Sequence, residues 1–475
     1  MYERLKPVFD YIDQHAGEYV ADLQTLLRQP SVSAQKWGLD ECADLLVSML
    51  QKDGIPARKM DTQGGPQMVY ADILPTQPLS GKSVLCYGHY DVQPPEPFEQ
   101  WIAPPFEAQI IDGIIYGRGA TDNKGGVMAF AKAVHAYQNV LGSVPLRLKF
   151  LFEGDEEIGS PHLESFCLNH TDLIQSDGMF CLDGDISGSV GSPHVDLGLR
   201  AILYVELVAH GPRRDVYSGD AAWVINPAWR LVNALNTLRD DYGNILIEGW
   251  LDDYDPPTAE DEAVLMKEAA RLKLEDILEH FGIDELPYGS SLFELMKERQ
   301  FGATCNICGI KSGYIGDGLK TITPSQASVK IDFRLPPRLN PEVQSRKLKD
   351  HLIKQGFGDI EVRVLVARGT PYKIPYSEDL AQAVIEAATE LFGAPPVVSG
   401  MTQEDIIKSV VDMPVVITGF GPPHSNLHAP NENMPVASYI RGIKYAAAIM
   451  ESFALPPMRE STAGPSEDRQ DSARR

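Results

Sequence analysis

The sequence predicts an α/β fold with a smaller α+β domain inserted into it, and three observations carry that prediction. Up to about residue 199, strand-like and helix-like segments alternate, as in a sheet with helices packed on its faces. From "LRAILYVELVAHG" (199–211) the order becomes strand, helix, strand, helix, strand, which suggests a ferredoxin-like unit. After about residue 376 the first texture returns, as it would where one domain interrupts another. The expected parts are therefore 1–199, 200–375 and 376–456, followed by a tail at 457–475.

At the N-terminus, Val8, Phe9, Ile12, Leu23, Leu26 and Leu27 recur at helical spacing and predict amphipathic helix. "KSVLCYGH" (82–89) reads as a buried strand, and "NKGGVMAFAKAVHAYQNVL" (123–141) as a helix with a glycine-rich start. "PLRLKFLFE" and "DGMFCLD" read as further strands. Within the insertion, "NPAWRLVNALNTLRD" (226–240) and "PEVQSRKLKDHLIKQ" (341–355) read as helices. "ASVKIDFRL" (327–335) and "IEVRVLVA" (360–367) read as strands, and 255–300 as an acidic helical region. Helix "EDLAQAVIEAATELF", strand "MPVVITGFG" and helix "SYIRGIKYAAAIMESF" complete the first part. The last stretch, "PPMRESTAGPSEDRQDSARR", has no large apolar residue beyond Met458 and predicts disorder.

The 475 residues are 43% hydrophobic and 23% charged, with 42 Lys plus Arg against 66 Asp plus Glu, a formal charge of −24. That balance excludes a nucleic-acid binder, which needs a basic face. No apolar run reaches the roughly 18 to 20 residues of a membrane span. The N-terminus has no continuous apolar signal core, so no membrane partner and a cytoplasmic location are expected. Six scattered cysteines form no disulfide framework. "CNIC" (305–308) has metal-like spacing but no second pair, and free thiols are the expectation.

The chemistry concentrates at predicted strand ends. "FLFEGDEEIGS" puts Asp155, Glu156 and Glu157 together, where like charges repel and burial is costly. "CYGHYDVQPPEP" offers His89 and Asp91, "GRGATDNKGG" offers Asp122, "CLDGD" offers Asp183, and "PPHSNLHAPNE" offers His424 and His428. Taken singly, each acid is an ordinary loop carboxylate. Together, histidines and acids at the strand ends of one sheet suit zinc or a similar divalent ion. A cation would hold the acid cluster, with one Glu as ligand and its neighbour free as a base. Asp91 could accept the second N–H of the His89 imidazole. The glycine-rich loop at 117–126 lacks the GK[ST] ending of a phosphate cradle.

These segments resemble the co-catalytic dinuclear zinc peptidase family of cytosolic nonspecific dipeptidase and carnosinase. That family includes the related acetylornithine deacetylase and succinyl-diaminopimelate desuccinylase. The matching stretches run in family order: "YGHYDVQPPEP…W…PPFEAQIIDGIIYGRGATDNKGG", "EGDEEIGS", "CLDGD", "GYIGDGLKTITPSQASVKIDFRLPP" and "NLHAPNE". The resemblance implies a catalytic three-layer α/β domain with an inserted lid and dimerisation domain, and hence a homodimer. It implies two Zn2+ per chain, with Mn2+ or Co2+ able to take the same ligands. His89, Asp122 and Asp183 would bind one ion, and Asp122, Glu157 and His428 the other, with Asp122 bridging. His424 is the rival of His428. Glu156 would be the general base, Asp91 would orient His89, and Arg334 in "KIDFRLPP" would clamp the free C-terminal carboxylate of a dipeptide or short peptide. Relatives carry an "RDLHSG"-like lid segment whose histidine stabilises the transition state. Here the matching stretch is "RRDVYSGD", with Tyr217 in that place. The implied activity is metal-dependent amide hydrolysis. An N-acyl-amino-acid deacylase on the same metals and a catalytically silent binding protein are the alternatives.

Overall fold

The computed structural model describes residues 2–187, 191–400 and 413–455; the predicted tail at 457–475 lies outside them. The main sheet has eight strands. In spatial order they are Ala57–Met60, Met68–Ile73, Arg147–Glu153, Ser83–His89, Met179–Leu182, Val415–Thr418, His194–Asp196 and Val397–Ser399. The four central strands, Arg147–Glu153 through Val415–Thr418, run parallel. Ser83–His89 and Arg147–Glu153 are buried in six of seven positions, and Met179–Leu182 throughout. Strands covered on both faces read as continuous apolar runs, which is why the sequence displayed them so clearly.

Helices supply the outer layers. Ala16–Arg28 buries Tyr19, Val20, Leu23, Leu26 and Leu27 at helical spacing. Lys124–Leu141 packs against Tyr2–Gln14, Val436–Ala454 and strand Ser83–His89. Its glycine-rich start is a packing requirement. A Cβ at Gly126 would collide with the Leu182 carbonyl oxygen, so the helix meets the sheet only without side chains there. This close approach brings the helix start, and Asp122 before it, beside the strand that ends at Leu182.

The inserted unit is a four-stranded antiparallel sheet in the order Thr304–Ser312, Gln326–Leu335, Ala201–His210, Glu361–Arg368. With helices Pro227–Leu235 and Pro341–Lys354 between strands, the chain order is β-α-β-β-α-β, the ferredoxin-like topology. Ala201, Leu203, Val205, Leu207 and Ala209 face one core with these helices. Both helices start on an Asn cap followed by Pro, with Asn226 accepting from Ala228 N–H and Asn340 from Val343 N–H. The first helix stops at Leu235, short of the predicted 240.

Strand Thr304–Ser312 was not predicted. It is an edge strand, mostly exposed, with a register shift between Ile307 and Gly309. Such a strand needs no apolar alternation to form, so the sequence shows only "CNIC". Cys305 is half-buried, Cys308 is exposed, and both are free. The acidic region forms three helices, Ala259–Arg271, Leu274–Phe281 and Leu292–Phe301. Thr258 with Asp261 and Ser291 with Glu294 form capping boxes. The first of these helices and the end of the third cover the edge of the main sheet. Arg271 donates to the carbonyls of Pro395 (2.7 Å) and Pro396 (2.8 Å), and Lys373 pairs with Asp261. Covering an edge strand removes a site of unwanted pairing.

Candidate metal centre

The central parallel strands end at Glu153, His89, Leu182 and Thr418, and the loops that follow carry the site, as expected at the carboxyl ends of such a sheet. Two three-residue groups meet there. His89, Asp122 and Asp183 offer ligand atoms within 4.8 Å of one another, and so do Asp122, Glu157 and His428. Asp122 belongs to both. His424 joins neither group among the described residues, and its carbonyl accepts from Asn433 Nδ2 at 3.0 Å.

His89 is fully buried. Its Nδ1 faces Asp91, 3.1 Å from the backbone oxygen and 3.3 Å from Oδ1. Partners on that side can keep the ring proton there when an ion is bound, which would leave the Nε2 lone pair to face it. Nε2 then points among three carboxylates: Asp122 at 3.0 Å, Asp183 at 3.5 Å and Glu156 at 3.8 Å. None of these contacts is aligned as a hydrogen bond. An orphaned imidazole nitrogen ringed by carboxylate oxygens fits a divalent cation. Two imidazoles and three carboxylates are a donor set that such ions accept.

Asp91 does more than face His89. Its two carboxylate oxygens accept the N–H groups of Glu156 (3.2 Å) and Glu157 (3.1 Å), so it also sets the turn that presents both glutamates. Asp155, the third acid of the cluster, turns away and meets His162 Nδ1 at 2.6 Å. Beneath them Glu153 is buried and bonded to Tyr87 and Ser160.

On the second side, His428 Nε2 lies 2.9 Å from Asp122 and 3.3 Å from Glu157. These bonds push the His428 imidazole up to about 10. Burial works against the Asp122 charge, yet His428 and His89 together hold that carboxyl well below its usual range. Burial pushes Glu156 up to about 8, with Asp183, Asp122 and Glu157 adding to the effect and His89 opposing it. Burial likewise raises Glu157.

Two predicted residues lie in the inserted unit. Arg334 pairs across the sheet with Ile202 and Thr304 and holds its Nε 3.5 Å from Asp332. Tyr217 sits on the two-residue strand Val216–Tyr217, is 67% exposed, and is not part of the cluster around Asp122 in this single chain. Three residues escaped the sequence reading. Gln93 donates to Glu157 Oε2 at 2.7 Å. Asn123 ties the Asp122 loop to the Leu182 carbonyl at 2.8 Å. Arg368, at the end of the last inserted strand, lies over Gly159, where a Cβ would collide with its guanidinium. Gln93 and Asn123 had a visible signal, their places in "YGHYDVQPPEP" and "GRGATDNKGG", and Arg368 had none.

A two-group centre with a shared aspartate on this fold defines a class of metal-dependent hydrolases. Residues 85–452 match Peptidase family M20/M25/M40, and the chain belongs to that family. It is 28% identical to the Beta-Ala-His dipeptidase of Rattus norvegicus, covering 97% of this chain and 98% of that one. It is 27% identical to the Cys-Gly metallodipeptidase dug1 of Schizosaccharomyces pombe, covering 95% and 98%. Among solved structures it resembles an M20 family metallo-carboxypeptidase, Sso-CP2, from Sulfolobus solfataricus. That match has a TM-score of 0.78 and 33% identity, covering 92% and 99%. Human carnosine dipeptidase 1 matches with a TM-score of 0.71 and 27% identity, covering 95% and 98%. No helix among the described residues is long and apolar enough to cross a membrane.

Proposed function

We propose that this protein is a metal-dependent hydrolase of the amide bond in dipeptides or short peptides with a free C-terminal carboxylate. The observation that carries this reading is the pair of ligand groups sharing Asp122, with the non-ligand Glu156 beside them. The names of the relatives, two dipeptidases and a carboxypeptidase, support the substrate class.

His89, Asp122 and Asp183 would hold one ion, and Asp122, Glu157 and His428 a second. Zinc is the expected metal, with manganese or cobalt able to take the same ligands. When bound, such ions polarise the scissile carbonyl and lower the pKa of water. The chain's own residues do the rest. Asp91 fixes the His89 tautomer and the 156–157 turn. Glu156, ionised beside cations, accepts a proton from the attacking water and delivers it to the leaving amine. Arg334 pairs its planar guanidinium with the substrate's terminal carboxylate. Residues 200–375 act as the lid and subunit contact of a homodimer, between catalytic parts 1–199 and 376–456. In that dimer the Tyr217 hydroxyl would donate to the developing oxyanion of the partner's site. The working compartment is the cytoplasm.

The test is a panel of dipeptides, N-acetyl and N-succinyl amino acids, with metal content measured on the same sample before and after chelation. The reading expects bound metal and dipeptide cleavage that is lost on chelation and restored by zinc or manganese. Cleavage of acylated amino acids alone would make the protein a deacylase on the same centre. Bound metal with no turnover on either set would leave a silent binding protein.

A further inference from the structure

Asp122 and His428 lie 306 residues apart in the chain, yet one ligand group needs both. The segments that carry them are joined by a carboxylate outside the ligand set. Glu432, four residues past His428, is completely buried. Its Oε2 accepts from Arg118 Nη1 at 2.8 Å and Gly119 N–H at 2.9 Å. Its Oε1 accepts from Thr121 N–H at 2.9 Å and Asp122 N–H at 3.0 Å. Every one of these donors belongs to the loop 118–122, and the last is the amide of the shared ligand itself. Gly117 N–H to the Glu432 carbonyl (3.0 Å) and Thr121 Oγ1 to the Asn433 carbonyl (2.8 Å) bind the same two segments again. Arg118 is buried too, donates to the Pro94 carbonyl at 3.3 Å, and lies over Trp101.

The chemistry of the node calls for a carboxylate. Four donors converge on two oxygens. A glutamine would keep one oxygen and turn an NH2 against one pair of donors, leaving buried N–H groups without acceptors. An aspartate would keep the charge but fall a methylene short. Burying an ionised carboxylate is costly unless it is paired and fully bonded, and here both conditions are met.

We propose that Glu432 is a positioning residue for the metal centre. Its carboxylate holds the Asp122 loop at the distance and orientation from His428 at which both side chains reach one ion. The inference rests on the metal-binding reading above and extends it to a residue that touches neither ion nor substrate.

The experiment compares full-length wild type with Glu432→Gln, Glu432→Asp and a control, Lys132→Met. Lys132 lies about two turns into the helix that follows Asp122, a buried cation on Asp22 (2.6 Å) and Asp53 (2.5 Å), so its loss lowers stability without removing a ligand or a bond to the 118–122 loop. Zinc affinity is read by competition with a chromophoric chelator, and the metal-induced rise in Tm is read on the same samples. Glu432→Gln is expected to bind zinc about 10- to 100-fold more weakly and to gain less Tm from zinc. Glu432→Asp should fall between it and wild type, and Lys132→Met should bind zinc like wild type at a lower Tm. Zinc affinity of Glu432→Gln within twofold of wild type overturns the proposal, whatever its stability. Should Glu432→Gln fail to fold, wild-type affinity in Glu432→Asp overturns it in the same way. If wild type itself takes up no zinc, the metal reading fails and the positioning role falls with it.

Discussion

Glu156 and Glu157 are adjacent in the chain and sit in one turn, yet only Glu157 belongs to a ligand group. The difference is one of direction, since Asp91 holds both N–H groups and leaves the two side chains to diverge. Glu156→Gln should therefore keep its metal and lose turnover by about 100- to 10,000-fold, checked by metal analysis beside kcat. Normal turnover would remove Glu156 from the base role. His428→Ala should lower metal content, and full occupancy would move the ligand elsewhere. The metal-free centre also predicts a pH dependence. Burial lifts Glu156 from 4.5 to about 8, and its bonds to Asp122 and Glu157 lift His428 from 6.5 to about 10. Both folded-state values lie above the unfolded ones, so the native chain holds protons that the unfolded chain has released. The His428 contribution is fully present below 6.5 and is lost as pH rises through 10. Keeping Glu156 buried becomes costly above 4.5. Stability of the chelated protein should thus fall with rising pH. Urea midpoints at pH 6 and pH 9 test this: the value at pH 9 should be lower, and Glu156→Gln should shrink the drop. A midpoint that is flat or higher at pH 9 would contradict it.

At the scale of elements, Gly126 lets helix Lys124–Leu141 rest on the Leu182 carbonyl, and Asp122 stands two residues before that helix. Gly126→Ala should cost about 1–3 kcal/mol by overpacking and should weaken metal binding at the same time, read by urea unfolding and chelator competition. Unchanged stability would mean the helix has slack that the structure does not show. The same contrast explains what could be read in advance. Strands such as Ser83–His89 were legible because both faces are buried, and His89 and Asp183 were legible because they stand at or just past such strand ends. Asp91 was foreseen as a partner of His89 but not as the cap of the 156–157 turn, because that role depends on backbone N–H groups more than sixty residues away. Glu432 stood in the open within "HAPNE", but its partners are amides across the fold, which no spacing records. Strand Thr304–Ser312 was missed because its residues, unlike the valine-rich Glu361–Arg368 at the opposite edge, carry Asn306 and Gly309 among few strand formers.

At the scale of the molecule, the inserted unit exposes Trp223, Ile225, Trp229 and Val232 near one helix. Contiguous exposed apolar side chains mark contact surfaces. If the proposed homodimer forms through this face and the partner chain completes the site, Trp229→Asp is expected to give a monomer in sedimentation and to lower turnover. A fully active monomer would show that each chain works alone.

Strand Gly198–Leu199 lies antiparallel to Tyr372–Lys373, with Leu199 opposite Tyr372. The chain thus leaves the main sheet and returns to it one strand spacing away, about 5 Å. Topologically the whole excursion is a cassette whose two ends share a doorway. Recombination could exchange it for another unit while both candidate ligand groups, which lie outside the cassette, stay in place. Helix Ala259–Arg271 and the end of Leu292–Phe301 limit that exchange, because they cap the edge strand Val397–Ser399, and a replacement would have to bring its own cap.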